Sequence, residues 1–531
     1  MNRYSIPMHR SLLIIMLVLC SQGIFAQHIM APLNPEQTAL VDAHLAKSNQ
    51  VKPTGFAPYL MSMQTLDSIY DADTKRWQRR SYDGWIMKKL KNENLFEIHT
   101  GEFHLQGDAA FNLEGSPRTD DQGRRMFTNT RGYNFNGFIG KRIFFQTSFY
   151  ETQSIFPNYM DSVVYARGDF NTPADPERGA VPGFGRWKNN NTSTSYDYDY
   201  TLATGTFGVM LNENSFVQFG HDKQFVGHGY RSMLLSDATS PYPFLRGQFS
   251  FWKNRITYTT TYAVLQSLDR IVNAPGAAKE PPFNRLGARF SYLSFQPAPW
   301  MSLGFFDGTT WTWRRNSSPQ SIEYYSPHAF IYTGKGIRNH IVGMNGQATL
   351  FGIIQGYGQY AMNTRGRGQA AQVGAKIFGP LRNMQIIVEY NRVGQNFYHY
   401  ADDSTGTIFI EEPLQSGTSP LNYYQNNDLM LGHPFGVAME EFILRGQYRL
   451  CDVFANGAVH ITNFNSVTQP RSVFLVKSEL GYIINPKSNA QFVMGVILRR
   501  AESAVSPALN ANETYPYLAF RTNLFNRYME F

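Results

Sequence analysis

The segment 220–243 carries the residue types best suited to binding chemistry. Gly220, Gly227 and Gly229 allow backbone angles and close approaches that side chains forbid. Tyr230 and Arg231 follow, a flat ring beside a fixed cationic fork. Such a pair suits stacking on a sugar ring and pairing with an acid group on it. Asp237 is placed to cap or orient the loop, or to pair with Arg231. A competing reading folds this loop into the lumen of a surrounding barrel and narrows it, held by an Arg231–Asp237 bridge. Trp311, Trp313, Arg314 and Arg315 make a second aromatic and basic cluster. It fits either a ligand contact or a membrane-interface girdle followed by arginines that meet headgroups.

Other chemistries find little support. The chain has no G-x-S-x-G, no H-E-x-x-H and no P-loop, so no catalytic residue is expected and the chain reads as a non-enzyme. The pairs Glu440-Glu441 and Asp402-Asp403 bring carboxylates together in sequence. Neighbours in a strand point to opposite faces, so Glu440 and Glu441 do not easily share a site. They read as loop or lumen charges. His221, His228 and His433 read as structural loop histidines. Asp197 and Asp199 alternate with Tyr196, Tyr198 and Tyr200. The aspartates are expected toward the lumen or mouth and the tyrosines toward an interface. No Cys/His cluster of metal-binding spacing occurs, so neither a metal nor a cofactor is expected.

These residues must be positioned by strands. From about 96 to 531 the chain reads as β-hairpins of period two. Tyr133, Phe135 and Ile139 run to Gly140-Lys141-Arg142, and Ile143, Phe145, Thr147 and Phe149 return. Leu245 to Phe251 turns at 252–255 into Ile256, Tyr258, Thr260 and Tyr262, with Thr257, Thr259 and Thr261 on the other face. Leu286, Ala288, Phe290 and Tyr292 lead through 296–299 to Met301, Leu303 and Phe305. Phe474 to Tyr482 turns at 485–489 into Phe492, Met494, Val496 and Leu498. Weaker hairpins fall near 203–219, 342–360, 371–393 and 439–464. With an opening strand near 96–112 and a closing strand near 515–531, about 18 strands are expected. Tight turns fall on one side and long polar connections on the other. That is the pattern of an antiparallel transmembrane β-barrel, with short turns in the periplasm and long loops outside. Phe531 ends the chain as an aromatic terminus, though Arg527 breaks the alternation before it.

Composition agrees. Mean hydropathy is −0.35, yet the chain holds 40 Phe and 31 Tyr. A barrel wall reconciles the two, because only alternate residues meet lipid. Residues 1–26 read as a signal peptide, with Arg3, His9 and Arg10 before the apolar run Leu12 to Leu19. Its removal takes the formal charge from +8 to +6 and leaves Cys451 as the lone cysteine, so no disulfide is expected. Residues 27–95 read as a small helical periplasmic segment. Helices are expected from Asn34-Pro35-Glu36, near Met61 to Tyr70, and over about Trp85 to Asn94. Residues 96–531 are the expected barrel, in the outer membrane of a Gram-negative bacterium.

Four stretches carry a family resemblance. They are Lys89-Leu90-Lys91-Asn92-Glu93-Asn94-Leu95, His228 to Asp237 with Pro243-Phe244-Leu245, Glu389-Tyr390-Asn391-Arg392-Val393 with Phe397-Tyr398, and Leu431-Gly432-His433-Pro434-Phe435-Gly436 with Glu440-Glu441. In this order they resemble the RemB-type gliding-motility proteins of Bacteroidota, a group similar to the Wzi-like capsule-assembly family. The resemblance implies a barrel of about 18 strands with a small helical N-terminal part. It further implies a non-enzymatic role in binding or retaining surface polysaccharide. Gly394-Gln395-Asn396 and Val437-Ala438-Met439 depart from the family pattern. A porin-like channel and a structural subunit of a larger outer-membrane assembly or secretion complex are the alternatives. The partners expected are surface polysaccharide, outer-membrane lipids and other outer-membrane or periplasmic proteins, and no nucleic acid.

Overall fold

The computed structural model describes residues 28–62, 69, 82–121, 123–165, 178–189, 198–270, 283–313, 337–365, 367–381, 383–398, 424–465, 470–505, 507, 510–522 and 527–531. Eighteen antiparallel strands close into one barrel. The first six are β1 (Phe103–Thr119), β2 (Arg125–Ile139), β3 (Ile143–Ile155), β4 (Tyr198–Asn212), β5 (Ser215–Asp222) and β6 (Tyr242–Phe251). Next come β7 (Ile256–Arg270), β8 (Phe283–Ala298), β9 (Met301–Thr312), β10 (Ile337–Leu350), β11 (Ile354–Asn363) and β12 (Gln369–Phe378). The last are β13 (Met384–Val393), β14 (Met439–Leu450), β15 (Val453–Phe464), β16 (Arg471–Asn485), β17 (Ala490–Glu502) and β18 (Ala511–Arg521). β18 closes on β1, with Leu518 opposite Gly115 and Arg521 opposite Asn112. Closure pairs the backbone of every wall strand within the sheet, which is what a strand needs in hydrocarbon.

The wall is inside out relative to a soluble protein. Leu480, Phe492, Met494 and Leu518 are exposed, while Gln359, Gln372, Glu389, Asn391, Glu441 and Glu479 are buried toward the lumen. The two sets alternate along their strands, the period-two pattern that a lipid-facing wall demands. Turns such as Trp252-Lys253-Asn254 and Cys451 hold left-handed backbone angles, φ 49°, 53°, 65° and 55°. Among the described residues no helix is long and apolar enough to cross a membrane.

Several expectations are corrected. The closing strand ends at Arg521 rather than running to Phe531. The Thr522 N–H donates to the Phe111 carbonyl at 3.0 Å, and residues 528–531 then lie buried inside the barrel, with Arg527 half-buried. The alternation broken at Arg527 marks this departure. The opening strand begins at Phe103, and Phe96–Thr100 is a short hairpin arm on its lower half. The arm therefore completes the wall below the point where β18 leaves it. Leu286, Ala288, Phe290 and Tyr292 face the lumen, whereas Phe305 is exposed. Tyr198 and Tyr200 also turn inward, against Trp187, Phe156 and Phe184, and Asp199 takes the other face. Aromatic side chains on an inner face make sense because the lumen holds apolar loops for them to pack on.

Helix α1 (Pro35–Lys47) starts as expected, with the Asn34 side chain accepting from the Glu36 N–H. Its buried face is Ala39, Val41, Asp42 and Ala46. Met61 lies in a strand, where Leu60–Ser62 pairs with His28–Met30. The rest of the second helical candidate, apart from Ile69, falls outside the described residues. Helix α2 (Trp85–Lys91) forms within its expected span, and α3 (Asn158–Tyr165) follows β3.

An arginine placed on the lipid face should be costly. Met494→Arg, between the periplasmic end and the middle of β17, is expected to lower stability by about 1–3 kcal/mol. Urea unfolding in liposomes checks this, and a change below about 0.5 kcal/mol contradicts the assigned face.

Candidate functional site

The loop between β5 and β6 runs inward and crosses the lumen. Its central residues Tyr230, Arg231, Met233, Leu234 and Leu235 are buried. Two carboxylates on the wall fix it. Glu389 of β13 accepts the Tyr230 N–H at 2.6 Å and the Arg231 N–H at 3.0 Å. The same carboxylate accepts from the Tyr357 hydroxyl and the Asn391 amide, both at 2.9 Å. Gly229 permits this approach, because a Cβ there would collide with Glu389, Gln372 and Tyr357. Glu441 of β14 takes the Arg231 fork, with Nε at 3.2 Å and Nη2 at 3.0 Å. His433 Nε2 and His460 Nδ1 bracket the two oxygens of Glu441 at 2.9 and 3.0 Å.

The C-terminal tail seals the other side of Arg231. Glu530 Oε2 lies 3.8 Å from Arg231 Nη1, and Glu530 Oε1 accepts from the Tyr230 hydroxyl at 2.9 Å. Asp237 hydrogen-bonds the Tyr528 hydroxyl rather than Arg231. The Arg231–Asp237 bridge considered from sequence is thus replaced by two separate links. Arg445 covers the Tyr230 ring at 4.0 Å from its centroid. Burial disfavours the Arg231 charge, but Glu441, Tyr230 and Glu530 outweigh it and hold the guanidinium above its usual value. Burial also disfavours the Glu530 carboxylate, and Arg231 overcomes it and keeps the acid below its usual range.

Further contacts run around the circumference. Gln359 of β11 accepts from the Met233 N–H and donates to the Val226 carbonyl, both at 2.9 Å. Gln372 of β12 donates to the Arg231 carbonyl at 2.9 Å. Phe225–Val226 pairs with Phe56–Ala57 of the N-terminal segment. That segment reaches β6, where Arg246 donates to the Pro58 carbonyl at 2.7 Å. The tail reaches β17 and β1 through Arg499 to the Phe531 carbonyl and Arg527 to Glu114, both 2.8 Å. Loop, tail and N-terminal segment share one apolar core that includes Phe56, Leu234, Tyr398, Phe435, Tyr528 and Phe531. The lumen is therefore packed at this level as a soluble protein interior is packed.

The arrangement binds its own parts rather than offering reactive groups. Burial, with Lys52 and Lys376 nearby, pushes His228 down to about 3, so it stays neutral. Burial likewise lowers His433 despite its Glu441 partner. His221 lies apart, with Nδ1 2.9 Å from the Ala203 carbonyl. Among the described residues no group of three His, Cys, Asp or Glu is placed to hold a metal. Trp311 is buried near the end of β9 against Gly287, Trp313 is half-buried with its backbone N–H on the Arg285 carbonyl at 3.1 Å, and Arg314 and Arg315 lie outside the described residues.

Sequence reading singled out Tyr230, Arg231 and Asp237 but not their anchors. Glu389 and Glu441 sit 158 and 210 residues from Arg231 in the chain. A signal existed. Three of the four stretches with a family resemblance meet here: His228 to Asp237, Glu389 to Tyr398, and Leu431 to Glu441. Tyr398 ties the first to the third, donating to the Met233 carbonyl at 2.9 Å and accepting from the His433 N–H at 2.8 Å.

No protein-family model and no curated protein matches the chain. Among solved structures it is similar to Wzi of Escherichia coli, an outer-membrane protein involved in group 1 capsule assembly and a carbohydrate-binding β-barrel. The TM-score is 0.53 at 11% identity, over 94% of this chain and 100% of that chain. OccAB2 of Acinetobacter baumannii superposes more loosely, with TM-score 0.42 at 9% identity over 79% of this chain and 97% of that one. OprD of Pseudomonas aeruginosa gives 0.41 at 10% identity, over 82% and 98%. The likeness to Wzi, at this identity, is one of fold: an outer-membrane barrel along nearly the whole chain.

Breaking one partner of a buried pair leaves the other charge stranded. Arg231→Ala should cost about 3–5 kcal/mol and make the 223–241 loop sensitive to protease added from outside. Wild-type resistance in the variant contradicts the assigned anchor. A second outcome concerns Asp42 of α1, 2.7 Å from Lys376 Nζ and 2.9 Å from Lys52 Nζ. Burial would raise its pKa, but the two lysines overcome it and hold the carboxyl at about 2 against 3.8 in an open chain. A depressed value stabilises the folded form above the unfolded pKa and ceases to as pH falls through the folded one. The protection of amides 35–47 against exchange, taken relative to the intrinsic rate at each pH, should therefore fall as pH drops from 4 toward 2. Asp42→Asn should abolish that step, and a variant that keeps it disproves the anchor.

Proposed function

We propose that this protein is a non-enzymatic outer-membrane barrel that binds or retains surface polysaccharide, in the manner of capsule-assembly proteins. The observation that carries the reading is the packed lumen. A wall of this size leaves an aqueous channel unless something fills it, and here a loop, a tail and an N-terminal segment are locked together across it. The packing argues against free diffusion through the barrel and favours a role at the surface. The shared fold with Wzi, a carbohydrate-binding barrel, supports the same role. So does the resemblance of the lumenal motifs to RemB-type gliding-motility proteins, which are linked to surface polysaccharide.

In this reading the site residues divide their work. Tyr230, Arg231 and Asp237 set the loop that floors the outer mouth, and their polar groups serve the protein itself. Trp313, just past the end of β9, and Arg314, next to it in sequence, are the proposed glycan contact, an aromatic ring followed by a cation. An acidic polymer bearing uronate or similar groups suits the mildly basic chain.

Binding is measurable with the intact protein in detergent. Wild-type protein should co-sediment with acidic capsular polysaccharide extracted from the source cells. The double variant Trp313→Ala, Arg314→Ala should lose at least fivefold in retention while keeping its heat-modifiable mobility. Equal retention by wild type, variant and an unrelated barrel would remove the proposal.

A further inference from the structure

Helix α2 has a surface that the barrel does not use. Trp85, Ile86 and Leu90 are 71%, 63% and 56% exposed, and no residue of the helix is buried. At about 100° per residue Trp85, Ile86, Leu90 and Met87 span roughly half the circumference, with Lys89 falling between Trp85 and Ile86, and Lys88 and Lys91 lie opposite. The helix is nevertheless rigidly mounted. Asn485 at the foot of β16 donates to the Lys89 and Glu93 carbonyls at 2.9 and 2.8 Å. Asn94 and the Leu95 N–H both hold Asp108 of β1, at 2.6 and 2.8 Å. Lys89 folds back on Glu93 and the Asn94 carbonyl, 3.0 and 2.9 Å, and so leaves the apolar arc clear.

Its position decides what covers that arc. Asn485 adjoins the turn 486–489, on the end of the barrel that carries the tight turns, which is the periplasmic end in this class. The apolar surface continues through exposed Leu95, Phe96 and Ile98 onto the wall. Phe96 lies 6.2 Å from the Phe135 ring, and Phe135 lies 5.5 Å from Tyr133 on the lipid face. Higher on the wall a shallow groove of about 580 Å³ opens to the lipid side, lined by Leu113, Leu480, Tyr482, Phe492, Met494 and Leu518. The helix therefore stands where acyl chains meet headgroups.

We propose that α2 is a docking site for anionic phospholipid of the periplasmic leaflet. Trp85, Ile86 and Leu90 enter the acyl region, and Lys88 and Lys91 meet the phosphate groups. An aromatic and aliphatic arc backed by lysines is the composition of helices that lie in the interface plane. Lysines near an anionic surface add attraction that a zwitterionic lipid supplies less well.

Brominated lipids test this in reconstituted bilayers, because bromine quenches only tryptophans that reach the acyl chains. The Trp85 signal is wild-type emission minus that of Trp85→Phe, with both proteins checked for heat-modifiable folding. Dibrominated phosphatidylglycerol should quench this difference signal at least twofold more than dibrominated phosphatidylcholine at equal mole fraction. Lys88→Glu with Lys91→Glu should erase that preference. A Trp85 signal untouched by either lipid would place the helix in water or against a protein and overturn the proposal. Equal quenching by both lipids, unchanged in the lysine variant, would overturn its anionic specificity.

Discussion

The pairing of Arg231 with Glu441 is the constraint on which the interior depends. Both groups are removed from solvent, and each would be stranded if the other moved. A buried pair of this kind adds little net stability over an apolar substitute, but it heavily penalises any arrangement that separates it. Its effect is to fix position. The loop from β5 must reach β13 and β14, 158 and 210 residues further along the chain. The tail then has one place left, since Glu530 completes the shell around the same guanidinium. Tyr230 is gripped from three sides by Glu389, Glu530 and Arg445.

Two solvents shape this chain. Outside, lipid selects Leu518, Phe492 and Met494 and requires that every backbone group be paired within the wall. Inside, the protein builds a conventional core from loops, with Met233, Leu234, Tyr398 and Phe435 packed together. The inner face of the wall is therefore mixed. Where it meets loop backbone it offers Gln359, Gln372 and Glu389, and where it meets apolar side chains it offers Phe290 and Tyr292. Phe531 sits 5.1 Å from the Phe435 ring inside the barrel.

The wall was legible because period-two patterning is local and each hairpin carries its own turn. The eight hairpins and two terminal strands read from sequence correspond to the strands observed, with shifted ends. Asn34-Pro35-Glu36 was legible for the same reason, since a cap involves neighbours. The interior was not. Which carboxylate meets Arg231 depends on strand order and register, and nothing near residue 231 records either. Parity alone would have turned Glu441 inward and Glu440 outward, where Glu440 meets exposed Arg392 at 3.4 Å. The face of β4 misled because alternating aromatics look the same whether they meet lipid or a packed lumen. Arg527 was the visible sign that the last strand stops early.

The proposed surface role requires a lumen that is closed in the resting protein. Single-molecule current recording in planar bilayers addresses this most directly. Purified, folded wild-type protein should insert without steady ohmic conductance in moderate salt. A stable open current from every inserted molecule, of the size expected for an empty barrel of this strand number, would contradict it.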